Sequence, residues 1–293
     1  MHLHGDGSPG ARPGSSGKDG SDGETAPRAS AWHPLDARLG LPGLPQSGTG
    51  QTSLLTGVNA AALLGEHHGP YPGPRLRPLL ETQSLWRSLS ARDLPVAFAN
   101  AFPERYLARV GPERGRMGAF ARSALLAGVR LRGPDDLRAG RGLSAFLDNR
   151  GWREQLGYAD IPRIDEAEAG RRLADLAREH ALTIFEHYAT DIAGHHPERL
   201  DPVAVLEALD RFLGGVLEGW ADDDLLIVCS DHGNLEDARV RRHTRNPALG
   251  IWRGPAADRP LRSLTDLAPA ILNMLDAGSR ESGPDHNPRT RYP

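Results

Sequence analysis

Cysteine, lysine and long apolar runs are nearly absent from this sequence. Cys229 is the single cysteine among 293 residues, which excludes an internal disulfide framework and a cysteine-rich zinc site. No stretch approaches the roughly 18 apolar residues of a membrane span, and the N-terminus lacks the apolar core of a signal peptide. We therefore expect a cytoplasmic protein without a membrane partner.

An excess of charge of one sign is also lacking. The formal net charge is −3 and the sequence pI is about 6.5, so the composition gives no reason to expect a nucleic-acid partner. Almost every cation is an arginine, and Lys18 is the lone lysine. Arginine binds phosphate or carboxylate in a bidentate fork, although a GC-rich genome would produce the same bias.

Hydrophobic residues make up 39% of the chain, enough to fill one large α/β domain or a core with an inserted subdomain. Residues 1–34 and 277–293 are different, because they are rich in Gly, Ser, Pro and Asp and have little to bury. The entropy that these segments would lose on ordering is not compensated by the burial of apolar surface. We expect both segments to be disordered tails.

Two short apolar runs, residues 182–185 and 225–229, are typical of buried parallel strands, and a helical pattern precedes each. The helix between them begins at Asp201 and Pro202, an N-cap followed by proline at the first helical position. Its apolar stripe comprises Leu206, Leu209, Leu213 and Val216. The order of elements is therefore β-α-β.

This order predicts an α/β fold with a mostly parallel sheet flanked by helices. Residues 35–64 and 181–276 would form the core, and residues 65–180, rich in Arg, Pro and Gly, would form an inserted cap region. Weaker strand candidates and further helical patterns lie at residues 96–98, 249–252, 166–180 and 265–275.

Ligand-type side chains follow both predicted strands. Asp191 and His195 come after the first strand, four residues apart and close enough to converge on one ion. Asp231 and His232 follow the second strand, and His243 lies in a polar loop beyond it. A lone Asp-His pair is common by chance, but ligands bind at the carboxyl ends of strands in open α/β sheets. The set therefore predicts a shared metal site.

A glycine-rich segment, residues 45–57, places Ser47 ahead of a predicted helix. The first amides of such a helix face outward and suit a phosphate oxygen. A serine hydroxyl is a poor nucleophile until a base or a metal lowers its pKa, so the predicted metal site makes Ser47 a candidate nucleophile. The alternative is a turn in which Ser47 or Thr52 only caps the helix.

Four segments together carry a specific signature: Gln-Ser-Gly-Thr-Gly-Gln (46–51), Asp-x-x-x-His (191–195), Ser-Asp-His-Gly-Asn (230–234) and His-Thr-Arg-Asn-Pro (243–247). As a set they resemble the alkaline phosphatase superfamily, in the branch of cofactor-independent phosphoglycerate mutase and its smaller metalloenzyme relatives. The resemblance covers about residues 40–64 and 180–275. It implies an alkaline-phosphatase-like sheet flanked by helices. It also implies that Ser47 is the nucleophile.

The same resemblance implies two metal-ligand groups. Asp191, His195 and His243 would hold one ion, while Asp231, His232 and Ser47 would hold the other.

Two features depart from the family pattern. The family opens with a buried strand ending in Asp-Gly, whose Asp joins the second metal, and here Asp6-Gly7 is the dipeptide nearest the start, without an apolar strand before it. Asp6 is a candidate ligand, and a truncated, frame-shifted or wrongly started N-terminus is the competing explanation. The insert at 65–180 is shorter than the phosphate-transfer domain of the mutase, which argues against mutase activity.

We therefore expect a phosphoester hydrolase that depends on two divalent metal ions, Mn²⁺ or Zn²⁺, and acts through Ser47. The expected substrate is a small anionic phosphoester. Arginines of the insert, such as Arg75, Arg77, Arg130 or Arg132, are candidates to hold its anionic part, and the alternative for each is a solvated surface position. The alternatives are a phosphoglycerate-mutase-type phosphotransferase and a degenerate, non-catalytic metal-binding protein. The oligomeric state is left open by the sequence.

Overall fold

The computed structural model describes residues 30–111, 116–221, 223–255 and 257–281. Within these residues the strands are β1 (Ser30–Trp32), β2 (Val96–Phe98), β3 (Leu182–Ile184), β4 (Leu226–Cys229) and β5 (Gly250–Arg253). The helices of the first part are α1 (Ser47–Thr56), α2 (Ala60–Leu64), α3 (Arg77–Gln83), α4 (Leu85–Ser90), α5 (Glu104–Leu107), α6 (Ala119–Leu126), α7 (Pro134–Arg138) and α8 (Arg150–Glu154). Those of the second part are α9 (Glu166–Arg178), α10 (Ala189–His195), α11 (Pro202–Glu218) and α12 (Leu267–Glu281).

The strands pair in two groups. β1, β5 and β4 form an antiparallel sheet in that order, while β2 and β3 form a parallel pair. The mixed helix and strand content confirms the α/β class, and β2 and β3 pair as parallel strands. The prediction of a mostly parallel sheet is wrong for β4 and β5, since a loop without a crossover helix joins them and returns the chain antiparallel.

A cavity of about 2260 Å³ is lined by both β3 and β4. Within the described part of the chain these two strands do not pair with each other, because each belongs to a different sheet. Apolar side chains of α9, α11 and α12 complete the walls; they include Leu173, Leu209, Leu213, Ile271 and Met274. The same cavity reaches Ser47, Asp191 and Asp231.

Helices α9 and α11 pack closely through two glycines. A Cβ on Gly170 would overlap the carbonyl oxygen of Phe212, and one on Gly215 would overlap that of Ala167. Asp201 caps α11 by accepting from the amide of Val203, as the sequence predicts. The apolar stripe is rotated from the predicted one, because Val205, Phe212 and Val216 are buried while Leu206 is 50% exposed.

Elements of the segment predicted as a cap pack directly on elements of the predicted core: β2 pairs with β3, and α9 packs on α11. The division of the chain into a core and a cap remains a prediction. Two predicted tail boundaries differ from the observed elements: Ser30–Trp32 form a strand within the predicted tail 1–34, and α12 continues to Glu281. No helix among the described residues is long and apolar enough to cross a membrane.

Candidate metal centre

The carboxyl ends of β3 and β4 both lead into the candidate site. The chain leaves β3 through Glu186 and Tyr188 and enters α10, which carries Asp191 and His195. It leaves β4 directly into the loop of Asp231. The bridge between Gly233 and Thr244 joins this loop to the segment that carries His243. The two strand ends therefore supply side chains to one place, as the sequence predicts.

His195 and His243 face each other in fixed orientations. Nδ1 of His195 donates to the carbonyl of Arg241 at 2.8 Å, and Nδ1 of His243 donates to the carbonyl of Pro45 at 2.6 Å, because a carbonyl oxygen can only accept. In the neutral rings both Nε2 atoms then present lone pairs, and they lie 3.0 Å apart. Oδ1 of Asp191 lies 3.5 Å from one and 3.6 Å from the other.

This donor set fits a divalent metal ion. The ligand atoms of Asp191, His195 and His243 all lie within 4.8 Å of one another, and two imidazoles with a carboxylate suit divalent transition metals. Two lone pairs at 3.0 Å repel unless a cation or a proton lies between them. The backbone carbonyl behind each ring is the arrangement that orients metal-binding imidazoles.

The second predicted group surrounds Ser47. Its Oγ lies 3.0 Å from Nε2 of His232, and the same Nε2 lies 3.5 Å from Oδ1 of Asp231. The two groups adjoin each other, since the rings of His232 and His243 stack with centroids 3.6 Å apart. The structure thus brings together six of the seven predicted site residues. The seventh, Asp6, lies outside the described residues.

The charges of Asp191 and His232 favour metal binding, whereas at His243 a metal ion has to displace a proton that the raised pKa favours. Burial raises the pKa of Asp191, but hydrogen bonds from His243 and Asn234 outweigh it and lower that pKa to about 2. Burial lowers the pKa of His232, which keeps its imidazole neutral. Burial also lowers the pKa of His243, but Asp191 and the Pro45 carbonyl outweigh this effect and raise it.

Ser47 is the first residue of α1, whereas the sequence predicts it in a preceding loop. Gln46 stands at the N-cap without a side-chain capping bond, and the hydroxyl of Thr52 donates to the carbonyl of Gly48 inside the helix. Neither Ser47 nor Thr52 is therefore a helix cap. The amide of Thr49 donates to the carbonyl of His68 at 2.9 Å, so this first-turn amide is not available to a phosphate oxygen.

Two glycines that we expected in a loop lie inside α1 for a steric reason. A Cβ on Gly50 would lie 2.5 Å from the carbonyl oxygen of Asp231, and one on Gly48 would lie 2.6 Å from that of His68. Glycine within a helix costs about 1 kcal/mol relative to alanine. Here it lets the helix that begins with Ser47 approach the backbone that carries Asp231.

Sequence reasoning missed the residues that support the ligands. Nδ2 of Asn234 donates to Oδ1 of Asp191 at 2.8 Å, and a Cβ on Gly194 would overlap the Asn234 side chain. Glu236 accepts from the amide of Asn234 at 2.6 Å and from the hydroxyl of Thr244, which ties the two ligand loops together. Asn234 belongs to the Ser-Asp-His-Gly-Asn motif, so the signal for its role was in the sequence.

A second missed group centres on Glu186, which is 9% exposed. Its carboxylate accepts from the Tyr188 hydroxyl at 2.8 Å and from the Gln51 side chain, and its backbone exchanges two hydrogen bonds with the Asn100 amide. Burial raises the pKa of Glu186 to about 7 against the opposing effect of the Tyr188 hydrogen bond. Gln51 lies one helical turn after Ser47, so this group adjoins the predicted nucleophile.

The arginines predicted to hold the substrate bind elsewhere. Arg75 donates to the carbonyls of Leu63 and Leu64, Arg130 pairs with Asp136, and Arg132 donates to backbone carbonyls. None of these three, nor Arg77, is among the described residues that line the cavity, whereas Arg116 is. That prediction is therefore wrong for these positions.

Comparison with protein families matches residues 157–275 to the Metalloenzyme superfamily. The matched segment contains Asp191, His195, Asp231, His232 and His243 and excludes Ser47. The resemblance to the alkaline phosphatase superfamily, in its phosphoglycerate-mutase-like branch, is thereby confirmed for this part of the chain.

The curated relatives carry mutase names. A 2,3-bisphosphoglycerate-independent phosphoglycerate mutase of Mycoplasmopsis synoviae is 26% identical over 40% of this chain and 25% of its own length. One from Methanopyrus kandleri is 30% identical over 38% and 29%, and a phosphopentomutase of Syntrophotalea carbinolica is 28% identical over 51% and 32%. The chain therefore spans between a quarter and a third of the length of these relatives.

A solved structure from Pyrococcus horikoshii is also similar, with a TM-score of 0.42 and 13% identity over 64% of this chain and 44% of that one.

Proposed function

Because residues 157–275 belong to the Metalloenzyme superfamily, in the phosphoglycerate-mutase-like branch of the alkaline phosphatase superfamily, we propose that the chain transfers phosphoryl groups with Ser47 as nucleophile. One observation carries the proposal. Ser47 Oγ lies 3.0 Å from Nε2 of His232, at the first turn of a helix, beside the cluster of Asp191, His195 and His243.

Two divalent ions, Mn²⁺ or Zn²⁺, would supply the positive charge that lowers the pKa of the serine hydroxyl and balances the phosphoryl oxygens. Asp191, His195 and His243 would hold one ion. Asp231, His232 and Ser47 would hold the other, with Asp6 as a further candidate ligand. The donor set supports this assignment, since the Nε2 atoms of His195 and His243 face each other while Nε2 of His232 faces Ser47.

The chain's own groups define the reaction. Ser47 Oγ forms a bond to phosphorus, the bond from phosphorus to the alcohol oxygen of the substrate breaks, and the alcohol leaves with the serine proton. The positive end of α1, which begins at Ser47, would stabilise the negative charge of the phosphoryl oxygens. A hydroxyl then takes the phosphoryl group from Ser47, and its proton returns to the serine.

The identity of that final hydroxyl separates a mutase from a hydrolase. The relatives named above are mutases, which favours return of the phosphoryl group to the bound alcohol. Hydrolysis is the second candidate, because the Asp191 and His195 side chains are 45% and 30% exposed, so water has access to the phosphoryl group on Ser47.

A panel of phosphomonoesters and phosphodiesters, assayed with Mn²⁺ and with Zn²⁺, tests the proposal. An isomeric phosphoester as product supports the mutase, and inorganic phosphate supports the hydrolase. If no phosphoester reacts and fewer than two ions bind per chain, the protein is a non-catalytic metal-binding protein and the proposal fails.

A further inference from the structure

The cavity that contains Ser47 has a second polar wall beyond the metal centre. This wall, which we call the tyrosine wall, consists of Tyr71, Tyr106 and Tyr188 around Glu186, and all four line the cavity. Tyr106 stacks on Phe102 with ring centroids 5.0 Å apart. The wall thus offers aromatic faces, phenolic hydroxyls and one carboxyl beside the nucleophile.

Glu186 is held in one orientation. Two hydrogen bonds to the Asn100 amide, 2.7 and 2.8 Å long, fix its backbone, and Tyr188 and Gln51 fix its carboxyl. Gln51 is itself oriented, because its Oε1 accepts from the amide of Ala119 at 3.3 Å. A carboxylate has about four acceptor positions, so this one can accept further hydroxyl donors.

The three tyrosines lie near one another and near this carboxyl. Burial, and after it the neighbouring Tyr71, raises the pKa of Tyr106 to about 12. Burial and Glu186 raise the pKa of Tyr188 well above its ordinary value. The phenols of Tyr106 and Tyr188 therefore remain protonated at neutral pH. Their protons are donated to the Arg116 carbonyl and to Glu186, so their oxygens are left to accept from a ligand hydroxyl.

We propose that the tyrosine wall binds the alcohol half of the phosphoester, and that this half is a neutral, hydroxyl-rich, sugar-like group. The inference rests on the phosphoryl-transfer function proposed above. Ligand hydroxyls donate to Glu186 and to the phenol oxygens, and carbon faces stack on aromatic rings. At a pH above the pKa of Glu186, which burial raises to about 7, a carboxylate in the same place would be repelled by the ionised Glu186 and by the nearby Asp231. An acid-bearing substrate would instead have to pair with Arg116, which lines the same cavity and whose carbonyl oxygen accepts from the Tyr106 hydroxyl.

Two probes that differ at one carbon test this choice. Glycerol 3-phosphate carries a hydroxymethyl group where 3-phosphoglycerate carries a carboxylate. Their binding is measured by calorimetry on the full chain with Ser47→Ala and Mn²⁺, so that turnover does not interfere. The pH is about 8, above the Glu186 pKa of about 7, so that the carboxylate is ionised. We expect glycerol 3-phosphate to bind at least about 10-fold more tightly, the effect of one hydrogen bond to a charged group. Equal binding, tighter binding of 3-phosphoglycerate or no binding of either probe would overturn the proposal.

Glu186→Gln in the same background sharpens the test. The amide keeps the size of the side chain and removes its charge, so glycerol 3-phosphate should lose affinity about 10-fold while 3-phosphoglycerate gains affinity. Glu218→Gln, an exposed glutamate on α11, is the matched control and should leave the ratio unchanged. A ratio that Glu186→Gln does not alter contradicts the role of Glu186.

Gly118→Ala provides a second variant that needs no change of charge. A Cβ there would lie 3.7 Å from Gln51 Oε1 and 3.8 Å from Glu186 Oε1, an ordinary contact that the fold tolerates. The added methyl covers the carboxyl, so affinity for glycerol 3-phosphate should fall without a gain for 3-phosphoglycerate. Unchanged affinity would show that the probe does not reach Glu186.

The failure of this inference can be told apart from the failure of the proposed function. Wild-type protein is assayed with both probes and with 4-nitrophenyl phosphate. Turnover of all three without a preference removes only the tyrosine-wall assignment. Absence of any turnover removes the phosphoryl-transfer function, while the calorimetric preference still decides which alcohol the wall binds.

Discussion

Nε2 of His195 lies 3.0 Å from Nε2 of His243, and each ring donates its other nitrogen to a backbone carbonyl. Neutral imidazoles held in this way point two lone pairs at each other, which is unfavourable unless a cation or a proton lies between them. The arrangement is therefore prepared for an ion, and Asp191 supplies the negative charge beside it.

Replacing His243 by alanine should remove the ion that Asp191 and His195 share with it. We expect the metal content to fall by one ion per chain and most of the activity to be lost, because an incomplete site binds metal weakly. Elemental analysis of purified protein, with circular dichroism as a check of folding, measures the change. His196→Ala is the control, since His196 is exposed and contacts Glu198. A His243→Ala protein with an unchanged metal content would exclude the assignment.

Gly194→Ala should weaken the same site from outside the ligand set. The new methyl displaces Asn234, which donates to Asp191 at 2.8 Å, and loss of such a supporting contact typically lowers metal affinity about 10- to 100-fold. Gly214→Ala is a matched change in a helix, where nothing lies within 4 Å of the new Cβ. Competition with a metal-binding dye gives both affinities. Equal affinities for the two variants would mean that Asn234 does not orient Asp191.

Stability without metal should depend on pH through Glu186. Its pKa is raised from 4.5 to about 7 in the folded chain, so the folded state binds more protons than the unfolded state between these values. The contribution of Glu186 to the free energy of unfolding is therefore fully present below pH 4.5 and is lost as the pH rises toward 7.

Urea unfolding of the metal-free chain and of Glu186→Gln measures this effect. The glutamine does not titrate. As the pH rises from 4.5 to about 7, the variant should therefore become more stable relative to the wild-type chain. A total change on the order of 3 kcal/mol corresponds to the shift at about 1.4 kcal/mol per pKa unit. A difference that stays constant from pH 4.5 to 7 would show that Glu186 ionises normally in the folded chain.

The clustering of the candidate ligand residues could be predicted from sequence because each stands at a position that local rules define. Asp191 follows the apolar strand β3, and Asp231 follows the apolar strand β4. Both strands end at the same site, whether or not they run parallel. The supporting residues were harder to predict. Glu186 accepts a hydrogen bond from the side chain of Gln51, which lies 135 positions earlier in the chain. Only the folded chain shows that these two residues meet.

The predictions of the strand pairing and of the start of α1 were wrong for a related reason. Periodicity identifies a strand without naming its neighbour, so it could not show that β4 pairs with β5 and not with β3. Glycine propensity predicted a loop at Gly48 and Gly50, but close packing against His68 and Asp231 overrides that propensity. Both errors concern contacts between distant parts of the chain.

The proposed mechanism depends most on Ser47, and Ser47→Ala should separate activity from stability. The serine side chain contacts His232 and does not cap α1, so its loss should cost at most about 1 kcal/mol of stability while turnover falls by several orders of magnitude. Ser53→Ala is the opposite control on the same helix: Ser53 is buried and bonded to Thr49 and Ala60, so its loss should lower the unfolding midpoint and leave the chemistry intact. With wild-type protein, intact mass after an acid quench should detect a phosphoryl group on Ser47, together with a burst of leaving group. Near-full turnover by Ser47→Ala with both ions bound would mean that a water molecule attacks phosphorus directly.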